Sequence, residues 1–236
     1  MRSTMLALSL AAAAALPLSA QAGGMGGMRM GGDPTSQVMG SGKLPEGWMM
    51  KIDAQRGGAQ PPATAVSFIT MAGGYHVKSG PAAVYYNTKD MGSGQYAVTA
   101  TFKQAKSMAH EAFGIFIGGH DMQDSSQNYL YFVIKPADGT MLIAHRKSWA
   151  ARTTAIVPEN AAAPEAAINR DSPTDGSATN TLMIHVAQDT VHFMINGKLV
   201  KAIAKSQLDG ASTDGQAGIR INHNIDMHID GWSVKK

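Results

Sequence analysis

The sequence predicts an all-β fold, two antiparallel sheets stacked as a jelly-roll sandwich. Three observations lead there. From Trp48 onward, short runs alternate apolar and polar residues at period two, the pattern of strands with one face on a core and one toward water. Turn residues separate these runs, most clearly Pro136-Ala137-Asp138-Gly139 and Asn196-Gly197. Almost no stretch carries the 3.6-residue period of a helix. About twelve short antiparallel strands imply two stacked sheets.

The first expected strands are Trp48 to Ile52, Ala65 to Ile69, Tyr75 to Lys78 and Ala83 to Asn87. In Gln95 to Lys103, Tyr96, Val98, Ala100 and Phe102 share one face. Phe113 to Ile117, Tyr129 to Ile134 and Met141 to Arg146 follow, the last two joined through the Pro136 to Gly139 turn. Equal distances from that turn place residues near 128 to 130 opposite residues near 145 to 147. Thr153 to Val157 is weaker, and 158–180, rich in Ala, Pro, Asp and Asn, reads as a long loop with one helical turn near Pro164 to Ile168. Thr181 to Val186, Val191 to Ile195 and Lys198 to Ala202 form a meander. Within it Val191, Phe193 and Ile195 share the buried face. Ala217 to Asn222 and Asp226 to Val234 close the chain.

The N-terminus carries Arg2, an uncharged apolar run from Met5 to Leu18, and the small-x-small site Ala20-Gln21-Ala22. These are the parts of an export leader, and the run of about 14 residues is shorter than the roughly 20 of a spanning helix. Residues 1–22 are therefore expected to be a signal peptide, 23–46 a Gly/Met-rich flexible linker, and 47–236 the β-sandwich domain, exported to the periplasm or beyond. No later run is long enough for a transmembrane segment. Cysteine is absent, which excludes disulfides, thiol catalysis, thiolate metal sites and iron–sulfur clusters. The formal net charge is +3, with Lys and Arg scattered, so nucleic acid is not an expected partner.

Several segments, in order, resemble the concanavalin A-like lectin/glucanase superfamily. They are GPAAVYYN at Gly80 to Asn87, QYAVTATF, FGIFIGGHD, NYLYFVIK, and the closing pair NTLMIHVAQDTVHFMINGKLV and GQAGIRINHNIDMHIDGWSVKK. The likeness covers Trp48 to Lys236 and looks closest to bacterial exported domains of the 3-keto-disaccharide hydrolase type. It implies the sandwich fold. It also implies either glycan binding or hydrolysis of (keto-)disaccharide glycosides, because this architecture serves both. Glucanases of the superfamily carry a Glu-x-Asp-x-x-Glu strand. Here the glutamates are Glu46, Glu111, Glu159 and Glu165, and none stands in that motif.

The residues offer two candidate sites. In the first, hairpin register brings His120, Asp121 and Asn128 beside His145, Arg146 and Trp149, a mix suited to a sugar or an anion. Tyr129 and Tyr131 could floor such a site, but alternation sets them with Val133 and makes core packing their expected role. In the second, Asp226, His228 and Asp230 leave one face of the closing strand, with His223 just before it. The same alternation also describes a plain solvated face. The oxygen-rich turn from Gly118 to Asn128 is of a kind that can hold calcium, but its spacing is not that of an EF-hand and ordinary turns share its composition. Met25, Met28 and Met30 are thioethers without His or Cys partners in the tail. The sequence assigns no metal and no cofactor, since no phosphate-cradling Gly loop, His-Glu-x-x-His helix or Gly-x-Ser-x-Gly elbow is present. The expected role is binding of a glycan, a small molecule or a cell-envelope component. A (keto-)disaccharide hydrolase and a structural envelope protein are the alternatives.

Overall fold

A computed structural model describes residues 40–54, 58–105, 111–148, 153–162 and 167–236. The strands are β1 (Trp48–Ile52), β2 (Val66–Met71), β3 (Gly74–Ser79), β4 (Ala83–Gly92), β5 (Tyr96–Gln104), β6 (Phe113–His120) and β7 (Asn128–Lys135). They continue with β8 (Thr140–Arg146), β9 (Thr154–Ala162), β10 (Ala178–Val186), β11 (Thr190–Ile195), β12 (Lys198–Ala204), β13 (Gly215–Ile221) and β14 (Ile225–Lys235). They form two seven-stranded antiparallel sheets, β1-β4-β13-β6-β7-β8-β9 and β12-β11-β10-β5-β14-β3-β2. Among the described residues no helix is long and apolar enough to cross a membrane.

The inner faces of the two sheets meet in one core. Phe68, Phe102 and Phe193 from the second sheet pack with Tyr85, Phe113, Ile115 and Phe132 from the first. The outer faces differ, and the sequence shows why. In the second sheet β5, β10 and β11 alternate strictly: in β10, Leu182, Ile184 and Val186 are buried while Met183 and His185 are only partly covered. Strands of the first sheet are apolar at both parities. In β6, FGIFIGGH, every residue but His120 is buried. Its outer face therefore carries a second apolar cluster of Val84, Tyr86, Phe116, Met122 and Tyr129, with Tyr131 packed against it.

Local chemistry sets the turns. Asn196 and Gly197 both take positive φ, 50° and 77°, as a tight hairpin between β11 and β12 requires. Gly139 closes the β7–β8 turn with φ 66°, its N–H donating to Lys135 O at 2.9 Å. The expected register of that hairpin is found, with Tyr129 opposite Arg146 and Leu130 opposite His145.

Two element assignments change. The described strands number fourteen rather than about twelve. The long loop is shorter than 158–180, because β9 continues to Ala162 along β8 and β10 starts at Ala178 along β5. Low intrinsic β-propensity is overridden there by cross-strand pairing. Asn180, fully buried, supports the turn behind it. Its Oδ1 accepts from Asn169 N–H and Asn196 Nδ2, both at 2.8 Å, and its Nδ2 donates to Asn169 O at 2.9 Å. The helical turn expected near Pro164 to Ile168 falls largely outside the described residues. Ahead of β1, Gly40 N–H donates to Thr64 O at 2.7 Å and Leu44 packs against the core.

Candidate ligand-binding face

The outer face of the first sheet is where apolar and ionic groups meet. Strand parity sends Lys51 and Asp53 outward from the β1 end, Val84 and Tyr86 from β4, Gly218 and Arg220 from β13, and Phe116 from β6. It likewise sends Tyr129 and Tyr131 outward from β7 and Arg146 from β8. Four rings run across it. Tyr86 meets Phe116 at 6.5 Å, Phe116 meets Tyr129 at 5.1 Å, and Tyr129 meets Tyr131 at 5.8 Å. Gly218 gives the Phe116 ring its place, since a Cβ there would lie 2.4 Å from that ring and 2.3 Å from Tyr85 O.

Above the rings lies a charge cluster. Arg220 Nη2 is 2.6 Å from Asp53 Oδ2, its Nη1 donates to Tyr129 Oη at 3.4 Å, and its Cζ lies 6.0 Å from the Tyr131 ring centre. Arg146 Nη1 approaches Asp53 Oδ2 at 3.6 Å. Asp53 stays in the sheet, its N–H donating to Ala82 O at 2.8 Å. Five strand spacings separate β1 from β8, roughly 24 Å in a flat sheet. A 3.6 Å approach between side chains from those strands requires the sheet to twist and curl over this face, which is therefore concave.

The ionic states follow from position. Burial pushes the Asp53 carboxyl up. The charge and hydrogen bond of Arg220, with Arg146 and His223 further away, outweigh that and hold it below the usual carboxylate range. Burial works against the Arg220 charge, but Asp53 and the tyrosines more than offset it, so the guanidinium stays protonated. Burial pushes the Tyr129 phenol up. One acceptor is left over: Asp53 Oδ1 is buried and has no hydrogen-bond partner. A buried carboxylate oxygen without a donor is costly.

The residues singled out from sequence divide among several places. Asn128 and His145 do come together, with Oδ1 and Nε2 2.8 Å apart. His145, only 2% exposed, also has Nδ1 3.1 Å from Asp209 O. Arg146 is not with them. Successive strand residues point to opposite faces, so it joins Asp53 on the concave side while His145 faces inward at the sheet end. His120 donates from Nε2 to Asp214 O at 2.8 Å, and Asp121 is exposed in a turn with φ 52°. The same turn delivers Gln123 to the concave face, where its Nε2 donates to Tyr86 Oη at 2.9 Å and Met50 O at 3.1 Å. Trp149 lies outside the described residues.

Asp226, His228 and Asp230 line the outer face of the second sheet. Asp226 bridges His76 at 3.0 Å and Lys78 at 2.9 Å, His228 bonds Asp230 at 2.8 Å, and Lys103 pairs with Asp230. Those contacts form a charge-balanced, partly solvated ladder. His223 is apart from it, exposed and within the electrostatic reach of Asp53. Elsewhere, a cleft of about 430 Å³ opens between Ala137 and the loop from Asp171 to Gly176. Asp175, exposed in that loop, is already held by Ser177.

Sequence reasoning missed Asp53 and Arg220 as a pair and assigned Tyr129 and Tyr131 to the core. The sandwich interior takes Leu130, Phe132 and Ile134, while Tyr129, buried as expected, and the partly exposed Tyr131 pack in the second apolar cluster on the outer face. Arg220 carries a readable signal, a lone charge inside the apolar run AGIRI.

Comparison of structures places this architecture among known sandwiches. The carbohydrate-binding module CBM66 from Bacillus subtilis superposes with a TM-score of 0.56 at 9% identity, covering 80% of this chain and 96% of that one. A Bacillus subtilis protein of unknown function with a galectin-like fold gives 0.50 at 14% identity, covering 80% and 88%. The fold is a concanavalin A-like jelly-roll sandwich. At such identities the likeness concerns the fold alone. No family model matches the chain, and no curated protein does.

Proposed function

We propose that this chain is a carbohydrate-binding domain whose ligand sits on the concave face, over Tyr131 and beside the cluster of Asp53, Arg146 and Arg220. The observation that carries the reading is the partly exposed Tyr131 ring on the outer sheet face, beside the ionic cluster of Asp53, Arg146 and Arg220. A pyranose has an apolar face for a tyrosine ring and hydroxyls that donate to a carboxylate and accept from arginine. Solved proteins of the same fold include one named as a carbohydrate-binding module, which agrees with this use. The leader-like segment ending at Ala22 agrees with a ligand met in the periplasm or outside the cell.

Binding is favoured over glycoside cleavage because the ionic cluster of Asp53, Arg146 and Arg220 holds a single carboxyl group. Glycosidases work with two carboxyl groups, one held protonated by a raised pKa. Asp53 is held ionised at neutral pH by Arg220 and can fill only one of the two roles.

A glycan array probed with the purified protein tests this directly. Binding to an oligosaccharide class is expected, with Tyr131→Ala weakening it at least about tenfold, or about 1.4 kcal/mol. His228→Ala, on the opposite sheet, should leave it unchanged. Tyr131 is only partly buried, so the thermal midpoint of its variant should stay near that of the wild type. A folded protein that binds no glycan, or Tyr131→Ala with full affinity, would contradict the reading.

A further inference from the structure

The outer face of the second sheet carries a second constellation, independent of the concave site. In β10 and β11 the inward positions Leu182, Ile184, Val186, Val191, Phe193 and Ile195 are fully buried. That fixes Met183, His185, His192 and Met194 on the outer side. Cross-strand register then pairs them as two adjacent rows, His185 opposite His192 and Met183 opposite Met194. The imidazole centres are 5.5 Å apart. Two rings at that separation can each direct one nitrogen at a common ion about 2.0 Å away. The methionine row lies roughly 6.6 Å along the strands, within reach of a thioether on three rotatable bonds.

The surroundings leave this patch open. Ala97 on β5 stands opposite His185 and Ala202 on β12 opposite His192, so small side chains flank the histidines. The other histidines of the strands are engaged: His76 with Asp226, His120 with Asp214 O, His145 with Asn128, and His228 with Asp230. Among the described residues neither His185 nor His192 has a hydrogen-bond or ion-pair partner. No group of three or more His, Cys, Asp or Glu suited to a metal exists among the described residues, so the patch lacks the carboxylates that hard cations need.

We propose that His185, His192, Met183 and Met194 form a surface copper site. Imidazole binds copper, nickel and zinc alike, whereas paired thioethers select Cu(I). The histidines supply the anchoring nitrogens and the methionines the preference for the reduced ion.

The test is an anaerobic titration of the metal-stripped full chain with Cu(I) against a chromogenic Cu(I) chelator. Methyl NMR of Met183 and Met194 and Zn(II) titrations run in parallel. Wild type should bind one more equivalent of Cu(I) than His185→Ala/His192→Ala, and both methyl signals should shift on loading. Met183→Leu/Met194→Leu should weaken Cu(I) binding at least tenfold while leaving Zn(II) affinity within about threefold. All four side chains are partly exposed, so the variants should keep the wild-type thermal midpoint. Equal stoichiometry and affinity in wild type and the double-histidine variant, or unshifted methyl signals in wild type, would overturn the site. Unchanged Cu(I) affinity in the double-methionine variant would overturn the assignment to copper.

Discussion

Phe193→Ala is expected to destabilise the domain by about 3–5 kcal/mol, the range for a fully buried phenylalanine cut back to its Cβ. Phe193 is fully buried at the middle of β11, between Val191 and Ile195, which are buried to the same extent. Its ring crosses the sandwich to meet Phe132 of the other sheet edge-on, at 5.4 Å and 71°. The truncation therefore removes the apolar area, the ring pair and the contact that joins the two sheets. For a domain of this size each kcal/mol moves the thermal midpoint by about 2–4 °C, so a fall of roughly 10 °C is expected. Lys201→Ala, exposed on β12, should shift stability by less than about 0.5 kcal/mol. Thermal or urea unfolding of the two variants checks this, and equal midpoints would mean that the inner and outer faces of β11 are reversed.

Arg220→Met should cost a comparable amount, about 3–5 kcal/mol, for a different reason. It leaves the Asp53 carboxylate in a mostly buried position without its 2.6 Å partner, and stranding one member of a buried pair is far worse than removing both. Adding Asp53→Asn to the same chain should recover much of the loss. The pH dependence gives a second readout. Asp53 has a lowered folded pKa, so its contribution is complete above the ordinary value of 3.8 and is lost as pH falls through the lower folded value. Wild type should lose that increment of stability in acid, and Asp53→Asn should not show it. Equal urea midpoints for Arg220→Met alone and with Asp53→Asn would mean that the pair contributes nothing to the fold.

Where alternation is strict, the fold was legible in the chain. TLMIHV and VHFMI assign the inner faces of β10 and β11 without ambiguity, and Asn196-Gly197 announces the hairpin that follows them. The β7–β8 register followed from turn distance alone. NYLYFVIK is different, because both parities are apolar and nothing in the run says which is inside. Both are largely covered, one in the sandwich and one in the outer cluster, so alternation alone could not say that Tyr129 and Tyr131 face outward. Asp53 and Arg220 stand 167 residues apart and meet only because β1, β4 and β13 lie side by side. His145 and Arg146 are neighbours in sequence, yet the period of a strand sends them to opposite faces. The His185–His192 pair was within reach of the same turn-distance reasoning, once the turn at Ala187 to Thr190 was fixed by its 2.9 Å backbone bond.

The decisive measurement is the map of chemical-shift changes when an oligosaccharide found on the array is titrated into the labelled protein. A ligand on the concave face should move the signals of Tyr131, Arg146, Gly218 and Arg220 and leave His228 and Asp230 still. Changes confined to the outer face of the second sheet, or to the Asn128–His145 end, would contradict a concave-face site.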